Sequence, residues 1–346
     1  MKCFSKLIFI LLSVLCLMSC SKENSCEFKI KNTEVKLPYE KIYSATRYNN
    51  QLYVAVKEEK QYGLASVLLK YDIENKSTKM LFRSKYLDSA IQEPKVNKRW
   101  LVWQDANASG NTSEIYAKNL EEDEIKLLSK LGNPEKYKSA PALYENYAVF
   151  AEENEDGKVV VQLYNLETDE IKEIGIIHSP SLLNDSIEFK KGIVAYTDNV
   201  NNQYLYKTYN MKEGKEDTYK FTQKKDIGYT QIVGNELLAL SFEDVQRWES
   251  QKWVSINMKN GKEAFNILPK EGLPIHMFKT GENRVYIKDL KGNLIVYTYS
   301  NRKFKKEFIV KSTGYFSIDN SGRLLTINEE APSTIVLISK DCEKEQ

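Results

Sequence analysis

Few residues in this chain have a type and spacing that chemistry requires. In DANASGN, Asp105, Asn107 and Ser109 alternate ahead of Gly110, as the oxygen ligands do at the start of a calcium loop. Such a loop needs a bidentate acid at its twelfth position, which here is Tyr116, so a hairpin turn bending at Gly110 explains the residues instead. The two histidines, His178 in GIIHSPSL and His276 in LPIHMF, are far apart and lack a cysteine at metal-ligand spacing. Glu121-Glu122 and Glu152-Glu153 fall in turns, where acids are usually solvated, so no general acid/base pair stands out. There is no G-x-S-x-G elbow and no phosphate-cradling glycine loop, and glycine supplies only 15 of 346 residues. No catalytic residue, cofactor or metal is assigned.

The cysteines carry more information. In MKCFSKLIFILLSVLCLMSC, Lys2 and Lys6 precede an apolar run from Leu7 to Leu17, the pattern of a signal peptide and shorter than the roughly 20 residues that span a bilayer. The run ends in Leu17-Met18-Ser19-Cys20, which resembles a bacterial lipobox, although Met18 is a less usual residue at its position. The alternative is an ordinary secretory signal with an incidental cysteine. The resemblance implies that 1–19 are cleaved, that Cys20 carries the acyl chains, palmitate among them, and that 20–26 form a tether. It also implies a lipid-anchored chain outside the cytoplasm, at the cell membrane or outer membrane, because two or more acyl chains hold a membrane stably.

Lys and Arg total 50 against 48 acids, and the two signs mix along the chain, as in NLEEDEIKLLSK. A phosphate-tracking surface needs a clustered basic excess, so no nucleic-acid partner is expected. With 42% hydrophobic residues the chain can bury a core.

From about residue 40, short runs rich in Val, Ile, Leu, Tyr and Phe alternate with Asn, Asp, Gly and Lys turns, an all-β pattern. One phrase recurs in VLLKYDIENKSTKMLF, EIYAKNLEEDEIKLL, VQLYNLETDEIKEI, YLYKTYNMKEGKEDTYKF and WVSINMKNGKEAFNI. Its polar anchors, Asp72, Asn119, Asn165, Asn210 and Asn257, recur every 45 to 47 residues. A second phrase, as in QLYVAV, RWLVWQD, NYAVFAE and GIVAYTD, precedes each copy. About four strands per repeat is the size of one blade of a β-propeller. The run from RWLVWQD through EIYAKNLEEDEIKLL resembles the TolB-like propeller repeats, which implies the fold and leaves the task open. Trp100, Trp103, Tyr116, Tyr164 and Tyr206 are expected to pack between blades.

Six repeats end near residue 310, and GYFSID, RLLTIN and TIVLIS give three further strands. The lone strand CEFKIKNTEVKLP can supply the missing outer one. The expectation is one propeller over 27–342 followed by a 343–346 tail. It has seven four-stranded blades, with six or eight as alternatives, and the N-terminal strand pairs with the C-terminal blade. The start of an outer strand lies beside the end of the strand before it, so Cys26 should approach Cys342 and form a disulfide, with two unpaired tail thiols as the alternative.

His178 and His276 fall where inner strands are expected to begin, which makes them channel candidates, with packing or solvent exposure as the competing explanation. The turns between second and third strands are long and should gather at one mouth of the channel. They contribute Trp248, Arg247, Tyr62, Asp105 and Asp198 as binding-face candidates. The function read from this pattern is a monomeric, non-catalytic module for an envelope protein or glycan. A carbohydrate-active enzyme, a glycoside hydrolase or polysaccharide lyase, is the alternative.

Overall fold

The recurring polar anchor has a local task. Asn165 Oδ1 accepts the backbone N–H groups of Glu167 and Thr168 at 3.0 and 3.3 Å. Asn119 does the same for Glu121 and Glu122, and Asn210 for Lys212 and Glu213. Asp72 serves Glu74 and Asn75 in the same way. These are Asx turns, in which a short side chain replaces a backbone partner and reverses the chain. Each one closes the hairpin from third to outer strand, so the sequence period is the hairpin period.

The computed structural model describes residues 27–343 apart from 59–61, 181–185, 223–225, 244–249, 266–274 and 320–321, and leaves the side chains of 27–30, 62, 265 and 340–343 undescribed. Among the described residues the strands form seven antiparallel sheets, the blades of a β-propeller. Blades 1 to 6 cover 42–83, 88–127, 142–177, 188–220, 226–265 and 275–310. Blade 7 takes Thr313–Ile318, Leu324–Asn328 and Thr334–Glu343 from the C-terminal end, and Glu27–Lys36 adds as its outermost strand. A two-residue strand, Tyr62–Gly63, runs parallel to the first residues of Asp88–Val96 at the edge of blade 2. Gly63, at φ +89°, is required there because a Cβ would meet the backbone of Asp88 and Ser89 within 2.7 Å.

By its contacts the chain divides into two units. The large one, 33–337, holds blades 1 to 6 and the ring closure. There Leu37 N–H donates to the Ser333 carbonyl at 3.0 Å and Ile42 N–H to Pro332 at 2.8 Å. The small one contains the described residues 27–32 and 338–343.

The core lies between blades, because each sheet buries both faces against its neighbours. Trp103 stacks on Tyr116 with centroids 5.7 Å apart and meets Phe82 of blade 1 at 5.0 Å. Trp100, Tyr164 and Tyr206 are fully buried and Tyr116 is half-buried, as inter-blade packing requires. Val35, Leu37, Ile42, Leu325 and Ile335 join in one cluster that fastens blade 7 to blade 1.

Candidate functional site

The residue after each anchor holds the next part of the fold. Its N–H donates to a carbonyl in the turn between the blade's inner and second strands: Ile73 to Asn50, Leu120 to Arg99, Leu166 to Asn146, Met211 to Gly192 and Met258 to Asn235, at 2.8 to 3.0 Å. The repeat therefore clamps these inner turns. Their backbone is demanding, with Glu145 and Lys191 at φ +49° and +52° and Gly192 at +75°, and the clamp holds them in it. Those of blades 2, 3 and 4 help frame a cavity of about 1080 Å³ at one mouth of the channel, lined among others by Arg99, Tyr144, Glu188, Lys190, Glu282 and Asp319.

Inner strands alternate between core and channel. Phe189 packs into the core between blades 3 and 4, which turns Glu188 and Lys190 to the other side. Phe278 packs into the core between blades 5 and 6, which turns Lys279 toward the channel. The Lys190 ammonium donates to the carbonyls of Ile232, Thr280 and Gly281 at 3.1, 3.0 and 2.6 Å, tying blade 4 to blades 5 and 6. Burial lowers the Lys190 pKa against the pull of Glu188. Burial raises the Glu188 carboxyl, with Lys190, Lys95 and Lys279 opposing.

Deeper in the channel, the inner strand of blade 2 carries a bulge between Gln92 and Lys95, with Glu93 at φ +46°. A bulge of this kind re-aims side chains and is common beside functional sites. Lys95 Nζ contacts the Glu93 carboxylate at 2.6 Å and Lys279 Nζ lies 3.6 Å from it. The Lys279 ammonium also lies over the Tyr315 ring, 5.0 Å from its centroid, and 5.5 Å from that of Phe316. Burial works against the Glu93 carboxylate, yet Lys279 and Lys95 hold its pKa well below the usual carboxylate range. Burial brings Lys279 down to about 8, with Glu93 resisting and Lys95 adding to the fall.

The structure corrects several expected positions. Asp105 and Asp198, expected on the loop face, are fully buried, because the end of a second strand is covered by the connector arriving from the preceding blade. Asp198 accepts the His178 N–H at 2.7 Å and contacts His178 Nδ1 at 2.7 Å and Lys207 Nζ at 3.0 Å. Glu152, the matching residue of blade 3, accepts the N–H groups of Lys130 and Gly132. These acids pin connectors between blades.

His178 follows the outer strand Ile171–Ile177 directly and precedes the inner strand Glu188–Lys190 by ten residues, so it belongs to the connector and not to the channel. His276 is the second residue of an inner strand but is exposed, at a bulge between Ile275 and Met277; partial desolvation and the Lys288 charge lower its pKa against the pull of Glu329. In DANASGN, Asn107 Oδ1 accepts the Thr112 N–H and Gly110 bends at φ +73°, which makes a hairpin turn. Tyr62 has its backbone beside Asp88 and no described side chain. Arg247, Trp248, Cys20 and Cys26 lie outside the described residues, and Cys342 lies in Thr334–Glu343 with its side chain outside them.

Glu93, Lys95, Glu188, Lys190 and Lys279 were not singled out from the sequence. A signal was present in IQEPKV, IEFKK and HMFKT, where charged residues stand next to apolar ones in segments that had to be innermost strands.

No protein-family model matches the chain, and no curated protein does. Solved structures resemble it in fold. The β-propeller domain of the trilobed protease from Pyrococcus furiosus, which has an open velcro topology, superposes with a TM-score of 0.60 at 11% identity, covering 89% of this chain and 99% of that one. A prolyl endopeptidase also gives 0.60 at 11% identity over 90% of this chain, which spans 49% of that protein. A chain of the mitotic checkpoint complex gives 0.57 at 11% identity, covering 94% of this chain and 98% of that one. At such identities the likeness is one of fold alone. Unlike an open ring, this chain places its N-terminal strand outermost in the last blade.

Proposed function

We propose that this chain is a lipid-anchored, extracytoplasmic binding module that takes a surface glycan or the tip of an envelope protein into the inner-turn mouth of its propeller. The observation that carries this reading is the cavity of about 1080 Å³ whose wall includes the clamped turns of blades 2, 3 and 4. It is a concave site of mixed charge on a rigid mount, the kind of place where proteins hold ligands. Arg99 and Tyr144 offer a planar cation and an aromatic face to the same cavity that Glu188 and Glu282 line. A glycan array run beside a pull-down from detergent-solubilised envelope tests it. Retention of a glycan or protein by the wild type and its loss on Tyr144→Ala is the expected result. Equal retention by both proteins, or by neither, contradicts the reading.

A carbohydrate-active enzyme is the second reading, supported by Glu93 and Glu188. Their surroundings push one carboxyl down and the other up, as an ionised and a protonated catalytic carboxyl require. Release of reducing ends or unsaturated products from acidic polysaccharides, abolished by Glu188→Gln, is its measurement.

A further inference from the structure

We propose that the channel contains a subsite for the carboxylate of a small acidic ligand, with Lys279 and Lys95 as its cations and Glu93 as the internal anion that the ligand competes with. This rests on the binding reading above and names the chemistry recognised. The argument starts from a contrast between two lysines in one channel. Lys190 gives its ammonium to backbone carbonyls of two other blades at hydrogen-bond distance, so this fold can satisfy a buried ammonium. Lys279 Nζ is shielded from solvent but has no acceptor at hydrogen-bond distance among the described residues; the Glu93 carboxylate stands 3.6 Å away. The rings of Tyr315 and Phe316 hold the charge at 5.0 and 5.5 Å. A ring face attracts the cation without using its N–H groups as a carbonyl would, so the donors remain for an incoming acceptor. Leaving such donors unmade is costly, and an anion that supplies them forms charge-assisted bonds.

The position also suits a ligand. Glu188 and Thr280, the residue after Lys279, line the cavity, and the side chains of Lys95 and Glu93 remain 35% and 29% exposed. A singly charged carboxylate matches this set better than a dianionic phosphate, because Glu93 and Glu188 both act on Lys279 and repel a second negative charge. The groups acting on Lys279 are Glu93 and Lys95 from blade 2, Glu188 from blade 4, and Tyr315 from blade 7. With Lys279 at about 8, the subsite is charged at neutral pH and binding weakens as pH rises beyond 8.

Titration calorimetry on the full mature chain, with glucuronate, trigalacturonate and succinate as probes and glucose as neutral control, tests the proposal. Uptake of the uronates alone assigns an acidic sugar, and uptake of succinate as well assigns the carboxylate in general; either supports the subsite. Lys279→Gln should weaken binding about tenfold or more, Lys279→Arg should retain most of it, and Glu93→Gln should tighten it by removing the competitor. The Glu93→Gln result does not depend on Lys279→Gln folding, and a purely structural Lys279–Glu93 pair would give lower thermal stability without tighter binding. Absence of binding by every carboxylate at about 10 mM, a weaker limit than any specific site shows, overturns the subsite, as does binding that Lys279→Gln leaves unchanged. Capture of a neutral glycan or a protein at the mouth, without carboxylate binding, would leave the binding-module reading standing and remove only this inference.

Discussion

Lys279 of blade 6 stands 3.6 Å from Glu93 of blade 2, so the channel is bridged by a pair whose members come from inner strands 186 residues apart in the chain. Neither strand reaches the other through a backbone ladder. Ring closure alone brings the pair together, which makes it a sensitive reporter of the assembled propeller.

Asp105 should make stability depend on pH in a direction opposite to most acids. Burial pushes its carboxyl from 3.8 up to about 6, with Ser84 and Lys85 opposing and Glu114 adding to the rise. The folded state then binds more protons than the unfolded one between about pH 4 and 6, so stability falls as pH rises through that window. The cost above it is on the order of 3 kcal/mol. Asp105→Asn should raise the urea midpoint at pH 7.5 and leave it nearly unchanged at pH 4. A lower midpoint at pH 7.5 contradicts the account.

Asp198 should behave in the usual sense. Burial opposes its charge, but His178 and Lys207 outweigh that and hold its pKa below 3.8. Its contribution is present above the unfolded value and is lost as pH falls through the folded one. Asp198→Ala leaves the Lys207 ammonium only the Ile176 carbonyl and frees the connector, and should cost about 3 kcal/mol at neutral pH. His178→Ala should cost much less, since that ring is half exposed. Equal losses in denaturant titrations would remove the connector argument.

Replacing a single anchor should loosen the cavity rim at a distance. Asn165→Ala removes the acceptor for the N–H groups of Glu167 and Thr168, at about 1 kcal/mol. It should also speed hydrogen exchange at Leu166, whose N–H holds the turn at Asn146. Faster exchange at Glu167 and Thr168 alone, with Leu166 unchanged, would separate the anchor from the turn at Asn146.

The termini offer a covalent test. Cys26 and Cys342 flank the paired ends of the chain in sequence, and a bond between them would close a loop long enough to stabilise by at most about 6 kcal/mol. Mass spectrometry of unreduced mature protein should find the two joined and an acylated Cys20 at the N-terminus. Two free thiols at Cys26 and Cys342 would remove the disulfide, and an unmodified Cys20 would remove the lipid anchor.

The blades were legible because their signal is local and repeated. Asn119, Asn165 and Asn210 each close an Asx turn, and such a turn needs its residue type wherever it recurs. Trp103 was recognisable as core because a large ring in an alternating run has nowhere else to go. Asp198 misled because its charge suggested exposure, while its burial depends on a connector from another blade. Lys279 and Glu93 were hidden for a stronger reason, since each looks like an ordinary surface charge and only the ring brings them together. The same holds for the mouth: the long loops drew attention to one face, whereas the described cavity is formed by the short inner turns on the other.

That contrast of faces is the central claim, and retention of envelope ligands by paired variants measures it most directly. Arg99→Ala with Tyr144→Ala alters the inner-turn mouth, and Trp248→Ala tests the long-loop face expected from the sequence. The account predicts that the mouth variant loses the ligand held by wild type while Trp248→Ala keeps it. Loss on Trp248→Ala with full retention by the mouth variant would contradict it.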